Sequence, residues 1–202
     1  IIALNLMPVI GYWFFGWSMF SIVYIFWVEA VIISFYYVIE KFLAKGREPV
    51  LAQPNALTRC LGSLKILAFR WGIMLFYWIF ILVFVALGQG KLQQHESIDN
   101  LKILFFKDSS FNVAAVVFAL SGCLHLIQDF VLSGKYKSAL FSEYSSVFDA
   151  RTIIIHVVIV LGTFAYQFLL NYASVDHRLP GLGFVVILSI LKFVADMFFS
   201  KK

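Results

Sequence analysis

Six long apolar segments alternate along the chain with short polar or glycine- and proline-bearing breaks. Because a helix needs about 17–25 residues to cross a hydrocarbon core of about 30 Å, apolar segments of this length predict transmembrane helices. The runs are continuous and do not show the alternation that is typical of barrel strands. The pattern therefore predicts an all-α polytopic membrane protein, a six-helix bundle that forms one domain over residues 1–202. The predicted spans are 1–16, 18–43, 64–88, 111–134, 151–171 and 180–199.

Composition supports the membrane assignment. The 202 residues are 62% hydrophobic and 13% charged, whereas an average soluble domain is nearer half apolar and a quarter charged. A soluble chain of this length cannot remove so much hydrocarbon from water. No nucleic-acid motif accompanies the net charge of +5, so we expect the lipid bilayer as a partner and no nucleic acid. Other membrane subunits or a second copy of the chain remain open as partners.

Lysine and arginine are distributed unequally between the two sides of the predicted bundle. The connections after the second and fourth spans, together with the C-terminal tail, hold most of them. The positive-inside rule places that side, and with it both termini, in the cytoplasm. The chain opens in apolar sequence at Ile1, so we expect a few residues before it. The basic residues on the predicted cytoplasmic side are Lys41, Lys45, Arg47, Arg59, Lys65, Lys135, Lys137, Arg151, Lys201 and Lys202.

The segment 135–150 differs from the other loops. Its apolar residues, among them Tyr136, Leu140 and Tyr144, recur at helical spacing between lysine, serine and glutamate. This pattern predicts an amphipathic helix on the cytoplasmic-side interface of the membrane. The alternative is that the segment simply packs over the end of the bundle.

Ionisable side chains inside the spans are the candidate functional residues. Each costs about 2.5–3.5 kcal/mol at the centre of a span, so these residues must turn inward and find partners. Helical spacing places them on narrow polar faces, and small residues such as Ala119 and Gly122 on the fourth span allow close helix approach. We expect the polar faces to converge in the cytoplasmic half of the bundle. The polar-core candidates are Glu29, Arg70, His125, Asp129, His156, Lys192 and Asp196.

Several interpretations of this polar core stay open. It is a self-neutral network that fixes helix packing, or it relays protons or small ions in a small transport unit. The chain is alternatively an accessory or structural subunit of a larger membrane complex, or a membrane-embedded metal-dependent enzyme. The ligands for zinc or another divalent metal would be His125, Asp129, His156 and Asp196. No His-Glu-x-x-His motif supports the enzyme, so an enzyme is the less favoured class, no other cofactor is expected and no catalytic residue is assigned.

The N-terminal region resembles an uncharacterised family of small prokaryotic polytopic membrane proteins. The residues that carry the resemblance are Asn5-x-x-Pro8-x-x-Gly11, Phe15-Gly16-Trp17-x-x-Phe20 and Trp27-x-Glu29-x-x-Ile32. The residues similar to later polar positions of that family are His125, Arg151, His156, Lys192 and Asp196. The resemblance implies a location in the cytoplasmic (inner) membrane of a bacterium or archaeon, and it leaves the chemistry open.

Overall fold

The regular elements of the chain are helices throughout the part that the computed structural model describes. The described residues are 2–47, 54–83, 100–147 and 185–191, together with 153, 157, 160, 164, 193 and 194. The elements are α1 (Ile2–Phe14), α2 (Met19–Leu43), α3 (Ala56–Ile81), α4 (100–104), α5 (Ser109–His125), a π-helix (Leu126–Leu132) and two 3-10 helices (Lys135–Lys137 and Ser142–Ser145). The prediction of an all-α fold is confirmed.

Within the described residues, three segments are long and apolar enough to cross a membrane, which indicates a membrane protein. They are Phe20–Leu43, Ala56–Ile81 and Asn100–Leu132, and they correspond to the second, third and fourth predicted spans. The first predicted span is helical in α1, which has 13 residues. The last two predicted spans, at 151–171 and 180–199, lie mostly outside the described residues, so they stay predictions.

α2 is the central helix of the described bundle. It packs against α1, α3, α5 and the segment that follows α5. Its candidate span is 56% buried, whereas that of α3 is 17% buried. A helix that is apolar around its whole circumference fits such a central position. Trp27 of α2 donates from its indole N–H to the Met74 carbonyl of α3 at 2.7 Å, which ties the two helices together near mid-length.

α2 and α3 begin at capping side chains. The Ser18 hydroxyl accepts the Ser21 N–H at 3.2 Å, so Ser18 is the N-cap of α2. α3 begins at Ala56, well before the predicted residue 64. The Asn55 side chain caps it by accepting the Thr58 N–H at 2.8 Å. The apolar run that begins at residue 64 marks where contact with lipid is expected to begin. The capping residue, Asn55, determines where the helix begins.

The predicted amphipathic helix over 135–150 is wrong for its described part, residues 135–147, which we call the strap. The strap contains the two short 3-10 helices and no α-helix. Gly134 precedes it with a φ of 76°, a left-handed conformation that suits glycine and ends the helix before it.

The carbonyls of the strap are used by another part of the chain. The Lys45 N–H donates to the Tyr136 carbonyl at 2.7 Å, and the Gly46 N–H donates to the Ala139 carbonyl at 2.8 Å. Because a carbonyl directed at a neighbouring segment cannot also complete a regular helix, the segment stays irregular. The structure agrees with the alternative interpretation, in which this segment packs over the end of the bundle.

Candidate functional site

The structure describes Glu29, Arg70, His125 and Asp129 from the predicted polar core. Glu29 and Arg70 are buried, with 3% and 1% of their surface exposed. The His125 and Asp129 side chains are 59% and 66% exposed in the described chain. The first two therefore lie between helices, and the other two lie at the end of α5, where the π-helix begins.

The remaining predicted site residues, His156, Lys192 and Asp196, lie outside the described residues. The convergence of the whole polar core therefore stays a prediction, as does the four-ligand metal site. Within the described parts of the chain, no cluster of three or more His, Cys, Asp or Glu side chains is arranged to hold a metal ion. The two described ligands of the predicted set, His125 and Asp129, have Nε2 and Oδ2 3.6 Å apart.

Glu40 is a further acidic residue that the structure brings to this region. Its side chain is 17% exposed, and its Oε1 lies 3.9 Å from His125 Nδ1. With the distance from His125 to Asp129, this makes a row in which one imidazole stands between two carboxylates. A protonated imidazole is attracted to both of them. We call Glu40, His125 and Asp129 the acid–histidine row.

The strap closes over the inner end of this row. The Tyr144 hydroxyl hydrogen-bonds the Glu40 carboxylate, and Lys135 attracts the same carboxylate. Burial raises the pKa of the Tyr144 hydroxyl, and the negative charges of Glu40 and Glu143 raise it further. Tyr144 is therefore a stable hydrogen-bond donor to Glu40 over the whole physiological pH range.

Arg70 joins α3 to both α2 and the strap. Its Nη2 donates to the Ser146 carbonyl at 3.1 Å, and its guanidinium carbon lies 3.8 Å from the centroid of the Tyr37 ring. The Tyr37 ring packs in turn against Tyr144, with centroids 5.2 Å apart. A cation over an aromatic face is stabilised by the ring quadrupole, and more strongly where water is excluded.

Lys41 makes a matching attachment from α2. It is only 2% exposed, and its Nζ donates to the Phe141 carbonyl at 2.9 Å and to the Ser145 hydroxyl at 3.2 Å. The same ammonium group lies 3.7 Å from the centroid of the Phe141 ring. Sequence reasoning missed this role because it counted Lys41 with the loop lysines. Its place in the last turn of an apolar helix was the available signal.

The opposite end of α2 is held by neutral groups and rings. The Trp17 indole donates to the Ser110 hydroxyl at 2.9 Å, and the Ser18 hydroxyl donates to Asn100 Oδ1 at 2.8 Å. The Ser110 hydroxyl donates to Asp108, which also caps α5. We call this the aromatic end; its rings are Trp17, Phe20, Tyr24, Phe106 and Phe111. The basic end carries Lys41, Lys45, Arg59, Lys135 and Lys137.

Glu29 lies between these two ends. At 1.5 Å per residue it is about 16 Å along α2 from Glu40. Its neighbours on the helix, Phe26 and Ala30, are buried apolar residues. α2 therefore carries one carboxyl group deep in the bundle, Glu29, and a second one, Glu40, that belongs to the acid–histidine row.

The small-residue face of α5 is the contact that brings His125 towards α2. A Cβ on Gly122 would lie 2.4 Å from the Tyr36 ring, and the Tyr36 hydroxyl donates to the Ala119 carbonyl at 2.8 Å. The predicted role of Ala119 and Gly122 in close helix approach is confirmed. His125 follows on the same face, which places it beside Glu40.

Comparison with known proteins places the chain by family and not by activity. No curated protein and no solved structure matches it. A model of a family of unknown function matches the whole of residues 1–202, which confirms the predicted membership of an uncharacterised family. The chain therefore belongs to the family of unknown function DUF6498.

Proposed function

We propose that the protein is a small transport unit for protons or small cations in the inner membrane of a prokaryote. The observation that carries the proposal is Glu29, a carboxyl group that is 3% exposed on the central helix of the bundle. Ionisable groups at such positions are costly in a membrane and mark ion or proton pathways by default. The proposal includes six spans with both termini in the cytoplasm, as the distribution of lysine and arginine predicts.

The acid–histidine row supplies an access point in this proposal. Glu40, His125 and Asp129 present two carboxylates and one imidazole at the basic end, where the last two side chains are exposed. A cation or proton is collected there and passed towards Glu29 inside the bundle. Groups on the last two predicted spans would bridge the separation of about 16 Å along α2.

Flux measurements in proteoliposomes test this proposal. With a pH-sensitive dye inside the vesicles, the wild-type protein is expected to dissipate an imposed pH gradient, and Glu29→Gln is expected to lower the rate at least about tenfold, because glutamine keeps the shape and loses the titratable group. Glu143→Gln is the matched control, since Glu143 lies exposed on the strap. Parallel vesicles with Na⁺ or K⁺ gradients identify the ion.

Two results would contradict the transport function. One is wild-type flux equal to that of empty liposomes in all three gradients. The other is flux that Glu29→Gln leaves at the wild-type rate, which would remove Glu29 from the pathway.

An accessory subunit of a larger membrane complex is the second candidate. The observation in its favour is the outward face of α3, where Phe69, Leu75 and Phe76 are more than half exposed and a Cβ on Gly72 would meet nothing within 4 Å. Small and apolar residues together suit helix–helix contact in lipid. Purification in mild detergent is expected to retain partner subunits, and a monodisperse single-chain particle would count against this candidate.

A metal-dependent enzyme is the third candidate, and the 3.6 Å approach of His125 to Asp129 supports it. Stoichiometric zinc or another divalent metal is then expected in the purified protein and is expected to be lost in His125→Ala. Wild-type protein without stoichiometric metal would end this proposal.

A further inference from the structure

Two lysines from different parts of the chain share one tyrosine ring at the basic end. Lys45 Nζ lies 5.7 Å from the centroid of the Tyr136 ring, and Lys137 Nζ lies 5.8 Å from it. Both lysines are exposed. Both ammonium groups lie near the same ring, so an anion bound beside that ring is attracted by two positive charges.

The backbone brings these lysines together. Lys45 follows α2, whereas Lys137 belongs to the strap, and the two segments are joined by the hydrogen bonds of Lys45 N–H and Gly46 N–H to strap carbonyls. Gly46 is required for this approach, because a Cβ there would lie 2.3 Å from the Ser138 carbonyl oxygen. The pair of cations is thus part of a built junction and not a chance meeting of flexible side chains.

The position of the junction indicates the kind of anion. Lys45 lies just beyond Leu43, the end of one candidate span, and Lys137 follows Leu132, the end of another. Tyrosine and lysine at the end of a span lie at the level of the lipid headgroups. Leu132 is 74% exposed, so apolar surface suited to an acyl chain is present at the same end of the bundle.

Two described carboxylates near the strap, Glu40 and Glu143, have partners of their own. Glu143 accepts the Leu140 N–H at 3.0 Å, and Glu40 faces His125 and Tyr144. These two carboxylates are therefore engaged by groups other than Lys45 and Lys137. We propose that Lys45 and Lys137 with Tyr136 bind the phosphate headgroup of an anionic phospholipid, independently of any transport function.

Native mass spectrometry of the full chain with added phosphatidylglycerol or phosphatidylcholine tests this proposal. Wild-type protein is expected to retain phosphatidylglycerol preferentially. Each lysine near a headgroup contributes about fivefold to affinity, so K45Q/K137Q is expected to weaken phosphatidylglycerol binding about 25-fold. K102Q/K107Q is the matched control, because it removes the same charge from exposed lysines away from the junction, and it is expected to bind as the wild type does.

Further arms separate a built lipid site from general charge and from a free anion. Gly46→Ala keeps every charge and is expected to weaken phosphatidylglycerol binding several-fold by displacing the strap; a misfolded Gly46→Ala leaves K45Q/K137Q as the deciding variant. Equal binding by K45Q/K137Q and K102Q/K107Q would overturn the proposal. Displacement of phosphatidylglycerol by millimolar inorganic phosphate would also overturn it, since the ligand would then be the free anion.

Discussion

The two ends of α2 are held to their neighbours by different chemistry. At the aromatic end, the Trp17 indole donates to the Ser110 hydroxyl, and Tyr24 stacks on Phe111 with centroids 5.5 Å apart. At the basic end, two buried cations, Lys41 and Arg70, donate to strap carbonyls and lie over aromatic rings. The aromatic end is closely packed. At the basic end, the two buried cations Lys41 and Arg70 hold the irregular strap, and we call this pair the clamp.

The difference shows where this bundle retains polarity. The described contacts of the aromatic end are ring packing and hydrogen bonds of neutral groups, together with the Asp108 carboxylate. The basic end places charge next to the acid–histidine row, and the strap is the only described segment that links Lys41, Arg70 and Glu40. Buried charges need good geometry to be tolerated, so the clamp is expected to be the more sensitive end.

The largest effect is expected from removing a cation of the clamp. Arg70→Ala loses a charged hydrogen bond, the contact with the Tyr37 ring and the packing of its stem, so the free energy of unfolding is expected to fall by about 3 kcal/mol. Lys65→Ala removes an exposed lysine of the same helix and is expected to stay within about 0.5 kcal/mol of the wild type. Chemical unfolding in detergent measures both, and equal values would contradict the stabilising role of Arg70 at the basic end.

A second prediction concerns the contact of α5 with α2, about one helical turn from the acid–histidine row. Gly122→Ala forces the Tyr36 ring away and disturbs its hydrogen bond to Ala119, so a loss of about 2 kcal/mol is expected. Gly72→Ala is the matched control on α3, where nothing lies within 4 Å of the new Cβ. It is expected to cost nothing, since alanine favours helix more than glycine does. The same unfolding assay applies, and an equal loss in the two variants would rule out the contact as the cause.

The aromatic end is expected to respond less. Trp17→Phe removes the donor to the Ser110 hydroxyl and keeps most of the ring, so the expected loss is about 1 kcal/mol. Phe15→Leu serves as the control, because the Phe15 side chain is 59% exposed. A loss for Trp17→Phe as large as that for Arg70→Ala would show that the neutral end is equally sensitive.

The smallest effect is expected from Tyr144 and depends on pH. Because the pKa of Tyr144 is raised in the folded chain, the unfolded state loses this proton first, from about pH 10 upward. The contribution of Tyr144 to stability is therefore full below about pH 10 and falls as the pH rises above it. Tyr144→Phe is expected to unfold with less dependence on pH between about 9 and 11 than the wild type. Identical slopes for the two proteins would contradict the assigned environment.

The sequence predicted the features that follow from local pattern. Apolar length identified the three candidate spans, and helical spacing predicted that Arg70 of α3 faces inward, where it is buried. The small residues on α5 likewise indicated where two helices meet. These features depend on neighbours within a few residues, so a sequence read alone can locate them.

The strap could not be predicted in this way. Its apolar spacing suggested a helix, and its conformation depends instead on bonds from Lys45 and Gly46, far away in the sequence. The same holds for Lys41, whose hydrogen-bond partners lie about a hundred residues later. Glu40 belongs to the acid–histidine row because α5 packs beside α2, which the local sequence does not show. Long-range pairing, which periodicity does not encode, produced each of these differences.

The central claim is that the two carboxyl groups of α2 serve one pathway, and a double variant tests it most directly. Proton or cation flux in proteoliposomes would be compared for Glu29→Gln, Glu40→Gln and the variant with both changes. Each single change is expected to lower flux at least about tenfold, and the double variant is expected to be no slower than the slower single one, because steps in series are lost together. Multiplicative losses, or wild-type flux in either single variant, would contradict a shared pathway.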